Sequence, residues 1–88
     1  MRLKGLDQVM KKKDVHLFYR NDYTAVAHLV GIDGRSISKK IEFSIEMSPT
    51  GKKAVKVEFI EKPDYPVLHL IKSLKDEILE LDRRGDLL

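Results

Sequence analysis

Two runs of strict alternation meeting at one turn constrain this chain more than any other feature. Ile41, Phe43, Ile45 and Met47 alternate with Lys40, Glu42, Ser44 and Glu46. Past the break, Val55, Val57 and Phe59 alternate with Lys56, Glu58 and Ile60. A period of two over this length means two strands, each with one buried face. The break itself, Ser48-Pro49-Thr50-Gly51, fits a type I turn followed by a glycine at positive φ. A three-residue loop of that kind pairs Met47 with Lys53, Ile45 with Val55, Phe43 with Val57 and Ile41 with Phe59. Turn chemistry and hydrophobic pattern then place the same residues on the same face.

Asp33-Gly34 reads as a two-residue type I′ turn. It sets Ile32 opposite Arg35 and Val26 opposite Ile41, adding a strand over about 24–32. Asn21-Asp22 turns the chain once more and sets Leu17 opposite Val26, giving a further strand over about 14–20. In this register His28 and Lys39 meet on the buried face. Lysine is rarely buried without a partner, so a β-bulge is expected near Ser38–Lys40.

The C-terminal segment changes period. Val67, Leu70, Ile71, Leu74, Ile78 and Leu81 recur at spacings of three and four, one apolar stripe on a helix over about 65–84. Asp64 is the expected N-cap, Pro66 lies in the first turn and Gly85 follows the end. Lys72–Asp76 and Glu80–Arg84 form i,i+4 pairs on its outer side. The fold expected is therefore α+β: a four-stranded antiparallel β-meander of order 1-2-3-4 (strands 14–20, 24–32, 36–47, 53–61) with one C-terminal helix on one face. Residues 14–88 make that domain. Residues 1–13 are a separate N-terminal segment. There Leu3, Leu6, Val9 and Met10 have the spacing of a short amphipathic helix, with disorder as the alternative.

Composition bounds the chemistry. With 88 residues there is room for one core, and 42% hydrophobic with 35% charged residues is the balance of a folded domain. The absence of cysteine excludes disulfides and thiolate chemistry. No apolar run approaches the roughly 18–20 residues of a membrane span, and Met1-Arg2-Leu3-Lys4-Gly5 leads into no signal-peptide stretch. A cytoplasmic location without membrane contact is the expectation.

Charge is unevenly placed. Residues 1–62 carry 13 Lys/Arg against 8 Asp/Glu, whereas residues 63–88 carry 4 against 6. The sheet half is basic and the helix half acidic, a polarity that would turn an anionic partner toward the sheet.

No enzymatic constellation stands out. His16, His28 and His69 share no face at a ligand spacing, and no carboxylate is placed to orient a ring. Gly31-Ile32-Asp33-Gly34-Arg35 matches no phosphate loop and leads into a strand rather than a helix. Ser36 and Ser38 have no nominated base. Glu42, Glu46 and Glu58 read as a solvated charge ladder. Catalytic residues, metal ligands and cofactors are expected to be none.

Two functional classes remain. In the register above, Phe18, Ala25, Ala27, Leu29 and Ile60 lie on the sheet face away from the helix. Such a small apolar patch suits a protein contact, and a homodimer through the open sheet face or an edge strand is the leading expectation. The alternative is a nucleic-acid-binding domain in which Lys11, Lys12, Lys13, Arg20, Lys40, Lys52 and Lys56 contact phosphates and Phe18 stacks on a base. Four strands and a helix is an element order that some single-strand-binding folds share, but fold alone does not fix function.

Overall fold

The hairpin that dominates the sequence forms as expected. In the structure, a computed structural model that describes residues 2–12, 20–31, 33–61, 68–85 and 87, β3 (Ser36–Met47) pairs with β4 (Lys53–Phe59). The register joins Met47 to Lys53, Ile45 to Val55, Phe43 to Val57 and Ile41 to Phe59. Gly51 has φ 85°, and its N–H donates to the Ser48 carbonyl at 2.9 Å. That conformation costs an L side chain about 1–2 kcal/mol, which is why glycine closes the loop.

The preceding hairpin uses the same loop, not the expected one. The Gly31 N–H donates to the Arg35 carbonyl at 2.9 Å and the Gly34 N–H to the Gly31 carbonyl at 3.0 Å. Gly34 is at φ 82° while Asp33 stays at negative φ, so a type I′ turn is ruled out. One extra loop residue moves the pairing of β2 (Arg20–Val30) on β3 by one position, so that Ala25 rather than Val26 faces Ile41. Because side chains alternate, that single step turns every residue of β2 over.

The consequences correct three expectations. Ala25, Ala27 and Leu29 lie in the core, not on the open face. His28 faces Ser38 on the open side, and Lys39 faces Ala27. The β2–β3 ladder runs unbroken from Arg20–Glu46 to Val30–Ser36, with no bulge near Ser38–Lys40. Lys39 is instead half-buried, a position a lysine tolerates by running its stem along the sheet with its amine outward.

Residues 2–11 are neither helix nor disordered. They form β1 (Arg2–Lys11), the first strand of a sheet with order β1-β2-β3-β4. The pairing of β1 with β2 shifts twice, between Leu3 and Gly5 and between Asp7 and Met10. Each bulge inserts one residue, so a strand that should repeat every two positions repeats every three. Leu3, Leu6 and Val9 thereby pack together against the core. Their helical spacing was real, but its cause is a doubly bulged strand. The strand expected over 14–20 falls outside the described residues up to Arg20, which opens β2.

The helix α1 (Leu68–Arg83) follows as expected in order and position, while residues 62–67, with the anticipated cap at Asp64 and Pro66, lie outside the described residues. It buries Leu70, Leu74 and Ile78. Among the strands it comes closest to β1 and β4, the two edges, so the sheet curls around it. Small Ala25 and Ala27 beneath it leave depth for the large helix side chains within one core that also holds Ile41, Phe43, Ile45 and Val55. On the outer side Glu80 is held by Arg83, one residue earlier than expected, through Nε at 3.0 Å and a second guanidinium nitrogen. That hydrogen bond lowers the Glu80 pKa.

Truncation should separate the two sides of α1. Leu74→Ala, at a fully buried site, is expected to cost about 2–5 kcal/mol in chemical denaturation. Leu68→Ala, at a site 82% exposed, should stay within about 0.5 kcal/mol of the native chain.

Candidate functional site

Three regions hold the polar chemistry of this domain: the open sheet face, one end of the helix, and the outer edge of β4. The open face carries the even-numbered residues of β2, β3 and β4. Lys12 Nζ bonds Glu42 Oε1 at 2.8 Å, Arg20 Nε bonds Asp22 Oδ1 at 3.0 Å, and Arg20 lies 3.7 Å from Glu46. These residues, with Lys56, Glu58 and the buried Ser44, border a shallow depression of about 340 Å³.

Of the expected nucleic-acid contacts, the structure brings Lys12, Arg20 and Lys56 together there. It sets Lys40 farther along the same face, Lys11 opposite Tyr23 and Lys52 in the β3–β4 turn. Lys13 and Phe18 lie outside the described residues. The depression is lined by three cations and by three carboxylates, Asp22, Glu42 and Glu58. That balance gives phosphate no net attraction.

Farther along, Asp7, His28 and Ser38 line up across three strands. Ser38 Oγ lies 3.0 Å from His28 Nδ1, and Asp7 Oδ2 lies 3.6 Å from His28 Nε2. A carboxylate therefore does stand beside a ring, contrary to expectation, because residues 2–11 are a strand. The order resembles a hydroxyl–imidazole–carboxylate triad. Yet 3.6 Å is too long for a hydrogen bond, and the side chains of His28 and Asp7 are 38% and 65% exposed. Nothing here excludes water from a reacting group. The row serves as a cross-strand polar ladder.

At the other end, Tyr23 stacks on Phe43, directly opposite in the ladder, with ring centroids 4.9 Å apart. The helix is tied to the sheet beside it by an ion pair between Lys53 and Asp82. Burial raises the Tyr23 pKa; the Asp82 carboxylate pushes the same way and Lys53 opposes it.

The third region is backbone. The bonds Ile60 N–H to Lys40 carbonyl and Ser48 N–H to Lys52 carbonyl identify the even residues of β4 as those bonded to β3. In an antiparallel ladder the direction alternates. Lys53, Val55, Val57 and Phe59 therefore aim their N–H and C=O groups outward, along an edge with no bulge. Beside that edge Val57 and Phe59 are half-buried, and Ile60 is 53% exposed. Sequence reasoning placed Ile60 in an apolar patch on the open sheet face. The structure keeps Ile60 beside the edge and takes Ala25, Ala27 and Leu29 away into the core.

Among the described residues no group of three or more His, Cys, Asp or Glu is placed to hold a metal, and no helix is long and apolar enough to cross a membrane.

These features define a two-layer α+β domain, with one sheet face covered by a helix and the other a mosaic of paired charges. The chain belongs to the BB_0187 family, whose model matches residues 1–83 and so takes in every element from β1 through α1. No curated protein and no solved structure matches it.

The shifted tyrosine sets an alkaline limit. A pKa raised by folding means that Tyr23 contributes stability below its unfolded value of about 10, and that this is lost as pH rises through the folded value. Thermal melting between about pH 8 and 11 should show a shallower alkaline decline in Tyr23→Phe than in the native chain.

Proposed function

We propose that this protein is a small non-catalytic interaction module that self-associates through the outer edge of β4. The observation that carries this reading is the contrast between its two sheet edges. Bare strand edges template pairing with other chains, and proteins blunt those they do not use. Here β1 is blunted by two bulges, with Gln8 at φ 51° within the second. β4 has neither bulge nor proline over Lys53–Phe59, and its outward amides stand beside half-buried apolar side chains.

The open sheet face suits self-association less well. Its cations and carboxylates are paired within the chain, and desolvating such pairs offsets what a new contact would gain. Phosphate recognition, the competing reading, loses support for the same reason.

The edge can be blocked without disturbing the fold. Val57→Pro removes an N–H that β3 does not use, and proline is tolerated where that group faces solvent. Light scattering on a sizing column is expected to give twice the chain mass for the native protein and the single-chain mass for Val57→Pro, with similar melting curves at low concentration. A native protein that stays monomeric at every concentration would remove this reading.

A further inference from the structure

Resting on that reading, we infer that the partner at the β4 edge is a second copy of this chain, docked antiparallel with Val57 on the twofold axis. Only odd-numbered residues offer outward N–H and C=O groups, so the bonded pairs must join odd residues to odd residues. Three registers then centre on the strand, and side-chain chemistry discriminates among them.

With Val57 on the axis, Val57 pairs with the partner's Val57, and Val55 pairs with the partner's Phe59. On the opposite face Lys56 meets the partner's Glu58, and by symmetry Glu58 meets the partner's Lys56. Ala54 meets the partner's Ile60, which covers a side chain that is 53% exposed in the single chain. These even-numbered pairs are the non-hydrogen-bonded ones, where side chains approach most closely.

Centring one residue earlier, on Lys56, sets Lys56 against the partner's Lys56, a like-charge contact. Centring on Val55 sets Phe59 against the turn glycine Gly51, and Lys56 against Ala54. Only the Val57 register makes both faces complementary: an apolar seam of Val55, Val57 and Phe59 on the helix side and two reciprocal ion pairs on the other. The sheet becomes eight-stranded, with both helices on one side and an isologous interface. The bonded strip is short, so dimer and monomer exchange with concentration.

Charge substitutions test the register apart from the edge itself. Lys56→Glu sets glutamate against glutamate at both symmetric sites. In sedimentation velocity over a concentration series it should raise the dimer dissociation constant about tenfold, taking up to about 1 kcal/mol per cross-strand pair. The double variant K56E/E58K reverses both partners and should restore the native constant. If K56E leaves dimerisation unchanged while Val57→Pro abolishes it, the register is wrong and the edge reading stands. If Val57→Pro still dimerises, the edge reading falls, and the register with it.

Discussion

The pairing of β2 on β3 is the constraint on which the rest of this structure depends. Gly34 at positive φ closes a three-residue loop, and that loop length sets Ala25 opposite Ile41. With that register, Tyr23, Ala25, Ala27 and Leu29 point at the helix, and Tyr23 reaches Phe43 to stack. The shallow floor of alanines then admits Leu70, Leu74 and Ile78. Had the loop been one residue shorter, Val26, His28 and Val30 would face the helix instead, with an imidazole in the middle of the core. Backbone conformation at one glycine thus decides which half of a strand is interior.

How much of this was legible in the sequence follows from how far each strand's two faces differ. On β3 and β4 one face is apolar and the other is nearly all polar, so pattern and turn specify one register and the observed pairing matches it residue by residue. β2 gives no such contrast. Tyr23, Ala25, Ala27 and Leu29 on one side compete with Thr24, Val26, His28 and Val30 on the other, and the pattern cannot choose between them. The loops did carry a signal. Gly34 stands three residues past Gly31 as Gly51 stands three past Ser48, and both hairpins close with the same hydrogen bonds.

β1 was misread for a different reason. Two bulges turn the strand period into three, which is the spacing of a helix face, so Leu3, Leu6 and Val9 suggest the wrong element. With β1 misplaced, Asp7 could not be seen to approach His28, and Ile60 was grouped with residues that are in fact core. The expected apolar patch on the open face was a product of the inverted β2. What replaces it is a face of matched charges, in which Lys12 and Arg20 are held by Glu42, Asp22 and Glu46.

The same bulges that hide β1 from sequence reasoning separate the fates of the two edges. On one side they curl the strand toward α1 and break the row of outward amides, so pairing there would need the strand to straighten and give up the packing of Leu3, Leu6 and Val9. On the other side β4 needs no rearrangement, because the Lys53–Asp82 ion pair ties it to the helix while its outer backbone groups stay clear of β3. The basic bias of the sheet half is partly spent in this way: Lys53 answers the acidic helix within the chain, and Lys56 is left on the outer strand beside Glu58. A strand carrying both signs two residues apart is self-complementary when it meets itself in reverse, and that property depends on the order of residues in β4, not on its composition.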